Sequence, residues 1–396
     1  NTKEDLIFVN YRDIRDLNPH LYAGEMYAQE MLYEGLVNIT ADGFEGCLAE
    51  SWDVSEDGKV YTFHIRPGVL FSDGEKCDAY AIKANFDAIL ENKDRHTWLE
   101  MMHLLVGVDA PDENTFVIEL SEPYYPLLTE LGVTRPFAMI SPKAMKDGST
   151  KDGVEAYIGT GPYVATDLVT DDHLTLVKNE NYWNGDVNVD EITVRTISDG
   201  DTLAFALQAG EINAAYGMAY ASYPIFENED FTFSSTATSR AFYAWMNFES
   251  PVTSDPAVRK AIAMGIDKES FVSVLLKGYG YPAVGAFPDT FSFGGQNLTT
   301  ESYDPDGAKQ VLEDAGWVDT DGDGIREKDR QKLVIRWLTY PSRQELPLLA
   351  ESAQATLKEI GMDVQVNCTS DNNTIRKDPT LWDVYASAMV TAPTGD

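Results

Sequence analysis

Histidine and cysteine are the side chains of this sequence that most readily support acid–base, nucleophilic or transition-metal chemistry. The chain contains no C-x-x-C pair, no Cys/His group at zinc spacing and no pair of histidines placed as ligands on one helix face. We therefore expect no structural zinc site. Each of the five histidines is interpreted as a satisfied surface or core residue: His20, His64, His96, His103 and His173.

The three cysteines leave two interpretations open. Cys47 and Cys77 lie in the same N-terminal region and could pair in an oxidising compartment. Alternatively, both are buried, inert thiols, as is Cys368.

One short segment has the oxygen-rich pattern of a calcium loop. Aspartates stand at every second position, at Asp319, Asp321 and Asp323. Gly324 follows where an EF-hand loop turns sharply, but Arg330 occupies the position of the bidentate Glu. Glu327 or Asp329 would have to compensate. A structural calcium site and an acidic surface turn without an ion are the two hypotheses.

Established catalytic signatures are missing from the sequence. It contains no G-x-S-x-G elbow, Walker A loop, H-E-x-x-H pair or dinucleotide fingerprint. We expect no enzyme and no cofactor. A secreted hydrolase that assembles carboxylates from distant segments is the alternative from a different class.

The elements that must position any site alternate between strands and helices. Residues 61–67 and 115–120 alternate apolar and polar side chains, which predicts two strands, and Ile82, Phe86 and Ile89 form a helical stripe between them. Asp-Pro pairs at 255–256 and 304–305 predict helix starts.

The C-terminal third gives the clearest pattern. Residues 333–339, 346–360 and 362–366 predict a strand, a helix and a second strand, with a stop at Gly361. Such a βαβ unit implies parallel strands in an α/β lobe.

Length and charge narrow the class of protein. A chain of 396 residues, 43% hydrophobic, is too long for one compact core, so two or more lobes are expected. The net charge of −35 makes nucleic acid and anionic lipid poor partners.

The sequence also lacks the apolar segments of a membrane protein. No apolar run reaches the roughly 18 residues of a membrane span, and residues 1–4 show no signal-like segment. We therefore expect a soluble chain; if the native protein is exported, its leader or lipid anchor has been removed.

A series of motifs resembles the family 5 solute-binding proteins of peptide and nickel ABC importers. The longest is AESWDVSEDGKVYTFHIRPGVLFSDGE at 49–75, and the others follow in family order: GTGPY at 159–163, NENYW at 179–183, ALQAGEIN at 206–213, DPAVRKAIAMGID at 255–267 and YDPDGAKQVLEDAGW at 303–317. Read physically, these segments are turns, caps and helix stripes, so they indicate a fold and say little about a ligand.

Three further segments, at 17–37, 95–100 and 124–142, resemble the nickel-binding members more closely than general peptide receptors. The resemblance implies capture of nickel as a complex with a small carboxylate metallophore such as histidine. It places the following residues in the pocket: Tyr22 and Met26 as lining, Trp98 stacking on the complex, and Arg95 and Arg135 facing its carboxylates. The alternative is that these arginines are solvated or pair with acids, and that Trp98 and Met26 are core.

The sequence departs from the family near its end. The resemblance places aromatic pocket residues, and beyond them a histidine that binds nickel directly, in a segment that starts around residue 391. Here the chain has Thr-Ala-Pro-Thr-Gly-Asp and ends at Asp396, so the direct nickel ligand has no candidate.

Taken together, we expect an α/β, two-lobed periplasmic-binding-protein-like fold (type II, cluster C-like) with mixed sheets. The first lobe would cover 1–240, and the second, lacking its C-terminal part, 241–396. Solute would bind in a cleft that closes by hinge motion, and the closed form would dock on the membrane permease of the importer.

The expected protein is an extracytoplasmic monomer, either periplasmic or lipid-anchored on the outer face of the cell membrane. The alternative within the same class is a dipeptide- or oligopeptide-binding protein, in which the same arginines hold a peptide carboxylate.

Overall fold

The contacts of the chain separate two units, unit 1 (Asn1–Met218) and unit 2 (Ala219–Asp396). The structure is a computed structural model that describes residues 5–40, 42–391 and 394. The predicted lobe boundary at residue 240 stays a prediction. Within the described ranges, every helix is too short or too polar to cross a membrane.

Unit 1 is built mainly from strands. These are β1 (Leu6–Asn10), β2 (Val37–Thr40), β3 (Gly43–Gly46), β4 (Ala49–Val54), β5 (Val60–Ile65), β6 (Leu105–Asp112), β7 (Thr115–Leu120), β8 (Met145–Lys146), β9 (Ser149–Val154), β10 (Tyr163–Val169), β11 (His173–Lys178), β12 (Glu191–Thr196) and β13 (Ala214–Tyr216). Its helices are α1 (Met26–Leu32), α2 (Ala79–Glu91), α3 (Met101–Leu104), α4 (Leu127–Leu131), α5 (Thr134–Phe137) and α6 (Gly200–Gln208). Short 3₁₀ turns cover Lys93–His96 and Pro142–Ala144.

Two larger sheets organise unit 1. One has the order β10-β11-β12-β1-β13 and is mixed, because β1 runs parallel to β12 and β13 while β11 runs antiparallel to its neighbours. The other is an antiparallel sheet of order β4-β5-β7-β6. The inward positions of β5 and β7 pack against α2 through Phe63, Phe116 and Phe86. The structure therefore has strands at both predicted places and the helical stripe between them, although β5 ends at Ile65 and not at residue 67.

The GTGPY segment is scaffold, as its residue types indicate. A Cβ at Gly159 would lie 1.9 Å from the carbonyl oxygen of Leu32 at the end of α1, so only glycine permits this approach. Beside it, the half-buried carboxylate of Glu34 accepts hydrogen bonds from Thr160 Oγ1 at 2.8 Å and from Trp183 Nε1 at 2.7 Å. These contacts fix the C-terminal end of α1, the helix whose first residue is the candidate pocket residue Met26.

Unit 2 contains the βαβ unit predicted from its sequence. Its elements are β14 (Arg240–Met246), β15 (Glu327–Lys328), β16 (Gln331–Lys332), β17 (Val334–Thr339), β18 (Asp363–Cys368) and β19 (Val384–Val390), with α7 (Tyr223–Phe226), α8 (Pro256–Gly265), α9 (Lys268–Ser270), α10 (Pro305–Asp314), α11 (Glu345–Glu359) and α12 (Asn372–Arg376). A π-helical turn covers Phe271–Leu275, and 3₁₀ turns cover Tyr220–Ser222 and Gly295–Asn297.

The sheet order β14-β19-β17-β18 makes unit 2 an α/β structure. Strands β17 and β18 pair in parallel, with Val334 opposite Asp363, and α11 connects them. Asp255 and Asp304 cap α8 and α10 as predicted, accepting from backbone N–H groups of the first turn. Buried apolar residues of the sheet and of α8, α10 and α11 form one core.

Candidate functional site

Four segments of unit 1 carry the residues that the sequence singled out. Tyr22 lies in the loop between β1 and α1, and Met26 is the first residue of α1. Arg95 lies in the 3₁₀ turn that follows α2, and Trp98 comes two residues after that turn. Arg135 lies in α5 with an extended backbone (φ −108°, ψ 128°), which interrupts the short helix.

Tyr22 and Trp98 are in direct contact. The indole Nε1 of Trp98 donates a hydrogen bond to the Tyr22 hydroxyl at 2.9 Å, and the two rings meet edge to face with centroids 6.1 Å apart. Trp98 remains 44% exposed and Tyr22 is half-buried, so the pair presents an aromatic surface to solvent. An exposed, hydrogen-bonded indole is unlike a core tryptophan and is available to a ligand.

Arg135 lies against the Tyr22 ring. Its Cζ is 5.6 Å from the ring centroid, and one terminal nitrogen donates to the Gly24 carbonyl at 2.8 Å. Its Nε is buried and has no hydrogen-bond partner among the described residues. Burial lowers the pKa of Arg135, and the carboxylate of Glu25 opposes that shift. The guanidinium is therefore a partly desolvated cation with an unused donor.

Arg95 and Met26 complete the predicted set. Arg95 is exposed, and its charge acts on the Tyr22 hydroxyl together with that of Arg135. Burial nevertheless raises the pKa of Tyr22, and the Trp98 hydrogen bond is the largest opposing effect. Met26 is 40% exposed. The structure thus brings Tyr22, Trp98 and Arg135 into contact and Arg95 within electrostatic reach.

His96, interpreted from the sequence as a satisfied surface or core residue, belongs to this group. His96 is fully buried, and its Nδ1 lies 2.7 Å from the Tyr22 hydroxyl oxygen. Burial, followed by the charge of Arg95, lowers the pKa of His96 to about 4. The signal available in the sequence was its position between Arg95 and Trp98, two residues that the resemblance had already assigned to the pocket.

A second buried histidine lies close by. His20 contacts Thr150 Oγ1 through Nδ1 at 2.8 Å, and burial lowers its pKa to about 3. The nearby His96 adds a smaller lowering effect. Both imidazoles are neutral at pH 7, which fits the interpretation of His20 as a core histidine.

The acidic loop of unit 2 is folded around its own hydrogen bonds. Asp319 accepts from the backbone N–H groups of Gly322 and Gly324 at 2.7 and 2.9 Å. The ammonium group of Lys332 lies 2.8 Å from Asp321 and 2.9 Å from Asp323.

The carboxylates of this loop could still converge on an ion. Ligand oxygens of Asp319, Asp321 and Glu327 lie within 4.8 Å of one another, so Glu327 takes the compensating position considered from the sequence. The calcium site at Asp319, Asp321 and Asp323 stays a prediction.

The cysteines are free in the structure. Cys47 and Cys77 are both buried, and burial raises the pKa of each thiol. Cys368 is also free, but it is exposed and lies at the end of β18, so its expected burial is wrong. The interpretation as inert thiols therefore fits Cys47 and Cys77.

Comparison with known families decides the class of this protein. The family described as "Bacterial extracellular solute-binding proteins, family 5 Middle" matches residues 43–396. The chain belongs to this family. Family 5 membership confirms the resemblance drawn from the sequence motifs.

Named family 5 relatives include metal- and peptide-binding proteins. The nickel-binding periplasmic protein of Escherichia coli is 36% identical over 371 residues, which cover 89% of this chain and 69% of that protein. The structure of NikA from Brucella suis in complex with Fe(III)-EDTA is 35% identical, with a TM-score of 0.91 over 98% of this chain and 79% of NikA. The periplasmic binding protein DppA from Helicobacter pylori, in complex with the peptide STSA, is 26% identical, with a TM-score of 0.81 over 98% of this chain and 78% of DppA.

These matches confirm the predicted α/β, periplasmic-binding-protein-like fold. They do not test the individual pocket residues. The segment that starts at residue 391, where the family's aromatic and metal-binding residues were expected, lies largely outside the described residues, since 392, 393, 395 and 396 are not described.

Proposed function

We propose that this protein captures nickel, as a complex with a small carboxylate-bearing metallophore such as histidine, for an ABC importer. The observation that carries the proposal is the environment of Arg135. Its guanidinium is partly desolvated against the Tyr22 ring, and its Nε–H has no partner among the described residues. A planar cation with an unused donor suits a carboxylate, whose two oxygens match the guanidinium fork.

The neighbouring side chains suit the rest of a flat metal chelate. Tyr22 and Trp98 supply aromatic faces and edges, and Met26 supplies a soft, polarisable side chain. Arg95 adds a second positive charge close to the first. A chelate with two or more carboxylate oxygens could therefore meet both arginines, while its faces pack on aromatic and apolar surface.

The names of the relatives support this choice of cargo. The Escherichia coli relative is a nickel-binding periplasmic protein, and NikA from Brucella suis was solved with a chelated metal, Fe(III)-EDTA. Nickel would be the transported substrate, with no resident cofactor required. No residue is proposed here as the direct nickel ligand.

A dipeptide or oligopeptide is the second candidate ligand. The similarity to DppA, solved with the peptide STSA, favours it. A peptide would present its C-terminal carboxylate to the same guanidinium of Arg135, so the arginine alone does not distinguish the two cargoes.

Calorimetric titration separates the candidates. The protein is titrated with the nickel–histidine complex and, separately, with a panel of dipeptides. We expect heat and saturation with the nickel complex and none with the peptides. Tight peptide binding without a response to the nickel complex would reject the nickel assignment and keep the family.

The remaining parts of the proposal concern the cell. Family 5 membership supports an extracytoplasmic location and a role in solute binding. The proposal adds that the protein is a periplasmic or lipid-anchored monomer whose partner is the membrane permease of the importer. It also supports a binding role without turnover. A hydrolase would cleave peptide substrates and lose that activity when a single carboxylate is replaced, and we expect no cleavage.

A further inference from the structure

His96 is buried against the half-buried ring of Tyr22, which in turn contacts the exposed ring of Trp98. His96 is 0% exposed, whereas Trp98 is 44% exposed. We propose that His96 is a positioning residue, which fixes the hydroxyl of Tyr22 and, through it, the indole of Trp98 in the orientation that receives the ligand. This inference rests on the proposed function, since it assumes that Tyr22 and Trp98 face the bound solute.

The hydrogen atoms of the three side chains define the arrangement. The indole nitrogen of Trp98 can only donate, so the Tyr22 oxygen accepts at 2.9 Å. The hydroxyl proton of Tyr22 then points to Nδ1 of His96 at 2.7 Å. His96 must accept there, which requires the neutral tautomer with its proton on Nε2.

The opposite tautomer satisfies fewer groups. If Nδ1 carried the proton, the Tyr22 oxygen would accept from both neighbours, and its own proton would need another acceptor. The described residues give Tyr22 only these two hydrogen-bond partners. Among the residues that the structure describes, Nε2 of His96 is buried without a partner whether or not it carries the proton, so it does not decide between the tautomers.

The surroundings keep this imidazole neutral. Arg95 is adjacent in sequence, and its positive charge and the burial of the ring both disfavour the imidazolium form. The nearby His20, whose pKa burial lowers to about 3, is also neutral at pH 7 and adds no opposing charge. A neutral ring that accepts from Tyr22 is therefore the form present at pH 7.

Fixing the two aromatic side chains before binding removes part of the entropy loss of capture. Releasing both Tyr22 and Trp98 should therefore weaken binding by roughly tenfold. The effect would come from lost preorganisation, because His96 makes no direct contact with the ligand.

Replacement of His96 by Leu and by Asn tests the proposal. Asn places an amide oxygen near the position of Nδ1 and can accept from Tyr22, whereas Leu cannot. Calorimetry with the nickel–histidine complex should show a loss of roughly tenfold in affinity for His96→Leu and a smaller loss for His96→Asn. His64→Asn, at an exposed histidine on β5, should bind like the wild type.

A double-mutant cycle separates positioning from general damage. If His96 acts through the hydroxyl of Tyr22, then Tyr22→Phe and His96→Leu should weaken binding by similar factors, and the double variant should be no weaker than either. Additive losses, or an Asn variant that is as weak as the Leu variant while still folded, would overturn the role.

A measurement without ligand keeps this inference distinct from the proposed function. The ¹⁵N chemical shifts of the His96 ring in the wild-type protein should report a proton on Nε2 and none on Nδ1. A protonated Nδ1 overturns the inference even if the nickel complex binds. Absence of nickel binding overturns the proposed cargo, and the cycle is then run with the dipeptide that binds.

Discussion

At the scale of single residues, the candidate site depends on a few polar atoms whose hydrogen-bonding capacity is only partly used within the folded chain. Arg135 uses one terminal nitrogen on Gly24 and leaves its Nε without a partner among the described residues. His96 uses one ring nitrogen on Tyr22, and its other ring nitrogen is buried without a partner in the described part of the chain. Leaving a buried polar group unsatisfied is costly, so the Nε of Arg135 favours a ligand acceptor at that position.

Replacement of Arg135 by Ala should weaken capture of a carboxylate-bearing chelate by at least about 1.4 kcal/mol, a tenfold change. The charge-assisted hydrogen bonds to the carboxylate are lost in that variant. Calorimetry with the nickel–histidine complex measures the change. Arg195→Ala, at an exposed arginine of β12, is the matched control. Unchanged affinity in the Arg135 variant would remove this residue from the pocket.

The buried histidines should make stability depend on acid pH. The pKa of His96 falls to about 4 and that of His20 to about 3 on folding, so the unfolded chain binds more protons between those values and pH 6.5. Stability therefore rises with pH across this window, by at most about 1.4 kcal/mol per pH unit for each histidine.

Urea unfolding of the wild type and of His96→Asn between pH 4.5 and 6.5 measures this dependence. The free energy of unfolding of His96→Asn should rise less steeply with pH than that of the wild type. His173→Asn is the control, because hydrogen bonds to Asp172 and Asp167 raise the pKa of His173 and move its contribution above pH 6.5. Equal slopes in the wild type and the His96 variant would contradict the assignment.

At the scale of secondary-structure elements, buried charges fix the sheet of unit 2. Asp383 directly precedes β19, and its side chain is 1% exposed. It accepts hydrogen bonds from the backbone and guanidinium of Arg336 on β17 and from Ser250 Oγ at 2.6 Å. One carboxylate thus holds β19, β17 and the segment before α8 together.

Asp383→Asn should lower the free energy of unfolding of unit 2 by about 2–3 kcal/mol. This is below the roughly 3–5 kcal/mol for breaking a fully buried pair, because Arg336 is 37% exposed and can be solvated. Urea unfolding measures the loss. Glu249→Gln, an exposed carboxylate near the same strands, should change little. A loss in Asp383→Asn no larger than in this control would show that the buried pair contributes nothing.

The acidic loop gives an element-scale test of the calcium prediction. Lys332 contacts Asp321 and Asp323, two of the three predicted ligands, so it competes with any cation there. Lys332→Met should therefore bind calcium more tightly than the wild type in a calorimetric titration. Lys309→Met, at a lysine paired with Asp306 on α10, is the control. Equal calcium affinity in all three proteins would favour the acidic surface turn.

At the scale of the whole molecule, the chain is strongly acidic, with 65 acidic against 30 basic residues. The arginines of the candidate site are therefore positive charges in a negative protein. Such a field favours cations over anions at long range, so recognition of a carboxylate has to come from short-range hydrogen bonds.

Ligand binding should raise the thermal stability of the protein. A ligand at a hundred times its Kd adds about 2.7 kcal/mol to the stability of the state that binds it. We expect the nickel–histidine complex to raise the melting temperature in calorimetric scans, and Arg135→Ala to reduce that rise at the same concentration. An equal rise with nickel salt alone would indicate binding to surface carboxylates instead.

The sequence by itself determined the family, the fold class and the elements with strong local patterns. The strands β5, β7, β17 and β18 and the helices α8, α10 and α11 were all predictable, because apolar periodicity and Asp caps act over a few residues. Motifs such as GTGPY were recognised as scaffold because their residue types are those of turns and caps, which are also local features. The pocket set was proposed from resemblance and not from spacing.

Only the tertiary structure decided how these elements and side chains meet. Tyr22 and His96 are 74 residues apart, and Arg135 lies 111 residues from the carbonyl it binds. The order of the mixed sheet in unit 1 likewise places β1 between β12 and β13. Periodicity reports which face of an element is buried, but not which distant element covers it, so the role of His96 was invisible until the chain was folded.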